Sequence, residues 1–540
     1  MIIMEGWKRR GGNDIFFEEK GAVMTRKLTH AKLFDRWQKC ITFPLLCFLV
    51  GLSTLLIGPV NVAASSLHPA DATAAQVTID AGKFSGIIPS TAFGTNSAVW
   101  DGHFQDAAVP DLLRDAGVKV LRYPGGSTSD VFHWQTTTVD GGGSAGTNTF
   151  DNFMQVARQV GAQPIITVNY GSGTPEEAAA WVKYANITKG YHIKYWEIGN
   201  ELYGNGTYGA DWENDIHAQK GPAAYAQNSL QFISAMKAVD PTIKIGLVLT
   251  APGNWPDGQT SALSPQPWNN TVLPMACSAA DFAAVHWYPQ GPTGESDAGL
   301  LGAPQNGEST SVSFTPSIPS MMSTLHSELN QYCGAHASAM KIMTTETNSV
   351  SFNPGKQTVN LVNALYLDEN YMTWLENGVA NVDWWDIHNG ILTNDNNSSS
   401  LYGTANYGDY GLLSTGSSAN GVSEPPANTP IPSYYGLQML SKLGRAGDAM
   451  ISASSSQSLV SAFAVRKTNG DIAVLLVNTD PSNSYQVSFS GLEAGPVRTV
   501  SFYGQNSTGI TTTQQIAPPQ ASQLIPPYSL TTVVFSRDGF

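Results

Sequence analysis

Ile193–Gly199 (IKYWEIG) is a short apolar run, rich in aromatic and β-branched residues, that stops abruptly in the polar pair Asn200-Glu201. A run of this length bounded by turn residues reads as a buried strand. Seven others share its texture: Thr91–Asn96, Val118–Tyr123, Gln163–Tyr170, Ile243–Thr250, Phe282–Tyr288, Lys341–Glu346 and Val382–His388. Helical patterns lie between several of them, such as Pro175–Tyr184 with Pro and Glu in its first turn, Ala223–Val239 and Val359–Asn377. Continuous apolar strands alternating with helices imply a parallel sheet covered on both faces. Eight such units predict an α/β fold, the closed (β/α)8 TIM barrel. An open doubly wound sheet is the lesser reading, because no Gly-x-Gly-x-x-Gly follows the first strand.

Beyond about residue 430 the texture changes. Leu459–Lys467, Ile472–Asp480, Tyr485–Leu492, Val497–Tyr503 and Leu530–Ser536 are strand-like, with Gly, Asn, Asp, Ser and Pro between them and no helical period. Closely spaced strands with turn punctuation predict an appended antiparallel β-sandwich. Gln76–Pro89 is strand-like too and precedes the barrel. The expected division is a leader over 1–75, a strand over 76–90 that joins the sandwich, a barrel over 91–430 and a sandwich over 431–540.

The leader carries an address. Ile41–Gly58 is apolar and uncharged, follows Arg26, Lys27, Lys32, Arg36 and Lys39, and is followed by Val62-Ala63-Ala64 and Ala72-Thr73-Ala74-Ala75. A basic region, an apolar region and a small-residue exit make a secretory signal. The run is also long enough for a membrane anchor; the exit favours cleavage and a secreted or periplasmic protein. Initiation at Met24 would give the basic region its usual length.

Composition narrows the partners. Only 13% of the 540 residues are charged, 10% are aromatic and the net charge is −14. The chain is packed rather than disordered. Its acidity excludes nucleic acid or an anionic membrane as main partner, since phosphate contacts need clustered Lys and Arg. Beyond the leader only Cys277 and Cys333 remain. They suit one disulfide or two buried thiols, and do not make a zinc site. His286 and His388 lack the clustered His or Asp partners that a metal requires, so neither metal nor cofactor is expected.

The chemistry is expected where strands end, because the C-terminal ends of barrel strands converge on one mouth. Polar groups stand at nearly every such end: Asn96, Arg122, Asn169, Asn200-Glu201, His286 with Tyr288, Glu346, and Asp386 with His388. A lone Glu is usually a solvated loop residue. Two, ending the fourth and seventh strands across one mouth, suit cleavage of a glycosidic bond, which needs one carboxylic acid and one carboxylate flanking the anomeric carbon.

Tyr195-Trp196-Glu197-Ile198-Gly199-Asn200-Glu201 resembles the Asn-Glu motif of the retaining clan A glycosidases, and Thr344-Thr345-Glu346-Thr347-Asn348 resembles their nucleophile motif. His286-Trp287-Tyr288 is similar to the His-x-Tyr of the sixth strand, and Leu121-Arg122-Tyr123-Pro124-Gly125-Gly126 to the Arg-x-Pro-Gly-Gly of the α-L-arabinofuranosidase family. The resemblance spans roughly residues 76–540. It implies Glu201 as general acid/base, Glu346 as nucleophile, Asn200 on the sugar hydroxyl beside the anomeric centre, and Arg122 and Tyr288 holding Glu346. Asn96 and His286 are expected at the carbohydrate too. Glu197, four residues before Glu201, is a competing carboxylate; the strand-end position favours Glu201.

Two positions depart from that family: Ser127 follows Pro-Gly-Gly where Asn is usual, and Gly94–Ala98 lacks the usual Glu. Both residues normally touch the sugar, so xylosidase, glucuronidase and endo-glucanase activities stay open. So does a carbohydrate-binding surface protein that has lost catalysis. Trp100, Trp134, Trp287, Trp384 and Trp385 lie at or just beyond strand ends, where rings can stack on sugars; Trp134 and Trp384 are the candidates. Alternation makes one of Trp384 and Trp385 core. Trp255 and Trp268 are possible subsite residues for a polymer.

Overall fold

The computed structural model describes residues 72–309 and 314–536. After a long first strand β1 (Thr73–Ile87), eight short strands follow: β2 (Phe93–Asn96), β3 (Val120–Tyr123), β4 (Gln163–Val168), β5 (Tyr195–Ile198), β6 (Lys244–Leu249), β7 (Phe282–Trp287), β8 (Lys341–Thr347) and β9 (Val382–Trp384). They pair in parallel in chain order, and β9 returns to β2 to close the barrel. Helices α1 (Val109–Ala116), α2 (Phe150–Val160), α3 (Pro175–Val182), α4 (Pro222–Val239), α5 (Trp268–Ala276), α6 (Asp297–Asn306), α7 (Ile318–Cys333) and α8 (Leu361–Glu376) lie in the connections. The start of α3 shows how local sequence sets an end. The Thr174 side chain accepts from the Glu177 N–H, Pro175 opens the first turn, and Glu176 and Glu177 complement the helix dipole.

Period-two alternation sorts each strand. In β5, Trp196 and Ile198 join the core shared with the helices, while Tyr195 belongs to a separate cluster with Val120, Ile165, Phe282, Ala284, Met343 and Ala380. That cluster plugs the barrel interior. Two residues further along their strands, Arg122, Thr167, Glu197 and Thr345 form a polar layer above the plug. The barrel is a filled core whose chemistry is confined to its upper end.

Apart from three two-residue hairpins in the barrel loops, the remaining strands described are β10 (Ala449–Ser455), β11 (Val460–Arg466), β12 (Ile472–Asn478), β13 (Tyr485–Ser490), β14 (Val497–Gly504), β15 (Thr511–Ile516), β16 (Gln523–Ile525) and β17 (Ser529–Phe535). They form one nine-stranded sheet in the order β15-β14-β17-β12-β11-β10-β1-β13-β16. Phe489 on β13 and Phe535 on β17 are far apart in that order, yet their rings lie 5.1 Å apart. The sheet therefore folds over itself into a sandwich. Every pairing is antiparallel except that of β1 with β13. The strand β1 opens at Thr73, inside the segment expected to be leader, because Thr73–Ala75 pair with Tyr485–Val487. The boundary at 431 also shifts. Pro432–Leu443 is a helix, α9, packed on α8 and α1 as well as on β17, and the sheet resumes only at Ala449. Cys277 and Cys333 are disulfide-bonded, with Cα atoms 5.8 Å apart. Among the described residues no helix is long and apolar enough to cross a membrane. The apolar run Ile41–Gly58 lies outside the described residues.

Helix α8 is buried along nearly its whole length and contacts β12 and β1 of the sandwich as well as barrel helices. Burial pushes Glu369 on this helix from 4.5 up to about 8, with only partial relief from Ser461. The folded state thus holds this proton more tightly than the unfolded chain. Stability is complete below the unfolded value and falls as pH rises toward about 8. Glu369→Gln is expected to raise the melting temperature by several degrees at pH 8.5 and to leave it nearly unchanged at pH 4.5, as read by calorimetry.

Candidate active site

The polar layer fixes the floor of the site. Arg122 is fully buried; its Nε donates to Glu197 at 2.7 Å, one Nη to Asn96 at 2.9 Å and to Glu346 at 3.2 Å, and the other Nη to Asn200 at 2.8 Å. Thr167 and Thr345 donate to Glu197, each at 3.0 Å. A buried ion pair with this many supporting hydrogen bonds orders its surroundings more than it stabilises the fold. Glu197 is thus a structural carboxylate beneath the mouth.

Two backbone irregularities lift the other glutamates to the mouth. Gly199 (φ 70°) and Glu201 (φ 36°) are left-handed, turning the chain sharply after β5. For Glu201 that conformation is costly, and Asp130 supports it. Asp130 accepts the N–H groups of Asn200 (2.8 Å), Gly171 (3.1 Å) and Tyr170 (3.2 Å), tying three loops together. In β8, the pairing with β7 shifts register between Thr344 and Glu346. Strict alternation after inward-facing Met343 and Thr345 would send Glu346 outward. The bulge brings Thr345 and Glu346 to the same side.

One oxygen each of Glu201 and Glu346 and a ring nitrogen of His286 lie within 4.8 Å of one another. Glu346 accepts from the Tyr288 hydroxyl at 2.6 Å. Glu201 accepts from Trp212 Nε1 at 2.9 Å and Tyr203 at 3.1 Å, and lies 3.0 Å from His286 Nδ1. A carboxylate cannot donate, so Thr345 gives its proton to Glu197 and presents a lone pair to His286 Nε2, 3.2 Å away. Nε2 therefore carries hydrogen, and Nδ1 stands 3.0 Å from Glu201, a separation that one proton can bridge. Burial pushes His286 down, but Glu346 and Glu201 outweigh it and raise its affinity for the proton above the ordinary range. Burial raises Glu201, but the His286 hydrogen bond and charge pull it below the ordinary carboxylate value. Glu346 stays raised, because burial and the charge of Glu201 exceed the help from His286, Arg122 and Tyr288.

The sequence-derived candidates divide. Glu201, Glu346, His286, Tyr288, Asn200 and Arg122 come together. Asn96 does not face a ligand: its amide donates to the Thr345 and Trp384 carbonyls and its oxygen is taken by Arg122. Trp134 is core, stacked at 5.6 Å on Trp181 of α3, with its Nε1 turned to the Glu177 carbonyl of the same helix. Trp384 is fully buried against Tyr366 and Tyr371, since alternation turns it outward. Trp385 instead lays its ring against Gly126, where a Cβ would come within 2.7 Å of it. Trp287 and Trp268 are also fully buried. His286 does have carboxylate neighbours, contrary to expectation, because three strands supply the cluster and no local spacing reveals it. His388 pairs with Asp101 at 2.8 Å.

Sequence reading missed Asp130, Tyr203, Trp212 and Glu213. The last accepts from Ser127 at 2.6 Å and from Asn200 at 2.8 Å. Burial, with the charges of Asp130 and Glu201, holds it well above the usual carboxylate range. Trp212 and Glu213 fall in a Gly/Asn-rich loop without periodicity, so nothing local marked them.

Comparison with known proteins gives the same direction. Over 212 residues the chain is 30% identical to a probable α-L-arabinofuranosidase C of Aspergillus clavatus, a match covering 33% of this chain and 39% of that one. The chain is similar to α-L-arabinofuranosidases over a third of its length and spans about two fifths of the length of the relatives it matches. The solved α-L-arabinofuranosidase of Thermotoga maritima superposes with a TM-score of 0.64 at 16% identity, covering 85% of this chain and 99% of that one. A bifunctional glucanase-xylanase from a metagenome library superposes with a TM-score of 0.61 at 14% identity, covering 86% and 100%. These likenesses establish the barrel with its appended sandwich. No family model matches.

Proposed function

We propose that the protein is a secreted retaining glycoside hydrolase, an α-L-arabinofuranosidase acting on plant-type polysaccharide or oligosaccharide. The observation that carries this reading is the approach of Glu201 and Glu346 to within 4.8 Å at a barrel mouth. Retaining enzymes hold their carboxyl groups about 5–5.5 Å apart, whereas inverting enzymes need about 6.5–9.5 Å to admit a water. Glu346 attacks the anomeric carbon while Glu201 gives its proton to the departing glycosidic oxygen. Glu201 then takes a proton from water, whose oxygen attacks the same carbon and releases Glu346. The proton that Glu201 shares with His286 is the one delivered, and Asn200, held by Arg122 and Glu213, offers its remaining N–H to the sugar. Ser127 and the missing strand-one Glu favour a second reading within the clan, xylosidase, glucuronidase or glucanase. Export rests on the basic-apolar leader and on the disulfide, a bond that persists in oxidising compartments.

The test is hydrolysis of a panel of aryl glycosides led by the α-L-arabinofuranoside, with NMR of the first-formed anomer. Retention on one member names the sugar. An inert protein that still binds oligosaccharide supports the binding-protein alternative. Excess chelator is expected to leave the rate unchanged; loss of activity restored by a divalent ion would move the Glu201–His286–Glu346 cluster to a metal role.

The pH profile is expected to be bell-shaped. Activity falls as pH drops through the raised value of Glu346, which must be ionised to attack. It falls again as pH rises through the raised value of His286, when the shared proton is lost. His286→Asn removes one holder of that proton and should move the alkaline limb of kcat/KM acidward. An unmoved limb would discard proton sharing.

A further inference from the structure

Two tryptophans present ring faces that the chemistry above does not use. Trp212 is 42% exposed and Trp255 48%, whereas Trp134, Trp181, Trp196, Trp268, Trp287, Trp374 and Trp384 are all at or below 7%. Trp100, at 39%, and the half-buried Trp385 are open as well, but Trp212 and Trp255 adjoin each other, and two adjacent open indoles present a surface for a partner. The rings lie 5.4 Å apart, tilted by 46°. They come from different connections, Trp212 from the loop after β5 and Trp255 from the loop after β6, so their meeting is a product of the fold.

The Trp212 ring is held from beneath, and the loop that carries Trp255 is tied down beside it. Trp212 lies on Gly204, where a Cβ would stand 2.3 Å from the indole, and its edge meets Tyr203 with centroids 6.2 Å apart. Its Nε1 is fixed on Glu201. Asn254, beside Trp255, donates to the Tyr288 carbonyl at 3.3 Å. The pair is thereby anchored to the end of the strand that carries His286 and Tyr288.

We propose that Trp212 and Trp255 form the subsite for the leaving-group sugar, and that this group is a neutral pyranose of a polysaccharide backbone. The proposal rests on the glycosidase reading. Trp212 donates to Glu201, the proton donor, whereas Glu346 takes its hydrogen bonds from Arg122 and Tyr288. The group adjoining the donor is the one that receives its proton, hence the leaving group. The electron-rich face of an indole suits the weakly positive C–H face of a pyranose ring. Residues 202–217 and 251–267 contain no Lys or Arg but include Asp211 and Asp257, and the nearby Lys220 is turned to the Asn205 carbonyl at 3.5 Å. Such loops repel a uronic acid and accept an uncharged sugar.

Trp255→Ala separates this from the basic chemistry, since the hydrogen bonds of Glu201 and Glu346 come from other residues. The variant is compared with the wild type on two substrates carrying the glycosyl unit that the panel identifies. One is its glycosyl fluoride, which has no leaving-group sugar; the other links it to a xylo-oligosaccharide. The expected result is fluoride hydrolysis within about twofold of wild type, with kcat/KM on the oligosaccharide lowered about tenfold or more, chiefly through KM. Trp255→Phe should recover most of that loss. Equal loss on both substrates, or none on the oligosaccharide, overturns the proposal. Calorimetric titration with xylo- and cello-oligosaccharides reads the surface without turnover. Binding that weakens about tenfold in Trp255→Ala upholds the platform even if the wild type cleaves no glycoside, which would sink only the glycosidase reading. No binding by the wild type, or equal binding by the variant, removes the platform.

Discussion

Glu346→Ala is expected to lower kcat/KM on every cleaved glycoside by about four orders of magnitude or more, because the bond-forming atom itself is removed. The loss should be equally deep for good and poor leaving groups. Azide should restore part of the rate by entering from the face that Glu346 vacates, giving a glycosyl azide of inverted configuration. Retained activity would show that another carboxylate attacks. Glu197 is the competing carboxylate of the fourth-strand motif, but it lies below the mouth, hydrogen-bonded to Arg122, Thr167 and Thr345. Glu197→Gln serves as the control: it should disturb folding or the placement of Arg122, and azide should not repair it.

Glu201→Ala is expected to depend strongly on the leaving group. For a sugar leaving group the loss should be about 10²–10⁴-fold, the usual worth of a positioned general acid. For dinitrophenyl glycosides, whose departure needs no proton, formation of the glycosyl-enzyme should be nearly unimpaired and its hydrolysis slow. A burst of phenolate followed by a slow steady rate would record this. Azide should speed the second step and give a product of retained configuration, opposite to that from Glu346→Ala. The opposed configurations tie each glutamate to one face of the sugar. A loss independent of the leaving group would assign Glu201 to positioning instead.

The strand-rich run before Asn200 and its seven counterparts were legible because each is apolar, short and bounded by turn residues, and such runs have few ways to be buried. The sandwich strands Leu459–Lys467 and Ile472–Asp480 were legible for the same reason. Thr511–Ile516 was not, since it is polar, mostly exposed and lies at the sheet edge. Trp134 and Trp384 misled because an aromatic at a strand end has the same local signature whether it faces outward to the helices or inward to the mouth. Asp130 and Glu213 act on Asn200 from residues far away in sequence, which no local pattern encodes.

What the sequence determined by itself is the closed barrel, the appended sandwich and the two glutamates at strand ends, because hydrophobic period and strand-end polarity are local properties. What only the tertiary structure decided is which carboxylates meet. Glu197 is drawn beneath the mouth by Arg122, Glu201 is lifted by a left-handed turn that Asp130 supports, and Glu346 is turned inward by the bulge at Thr345. The register of a bulge, the partner of a buried charge and the approach of His286 to Glu201 all depend on groups brought together from different strands. Their energies belong to the assembled barrel, since no single segment contains both members of any of these pairs.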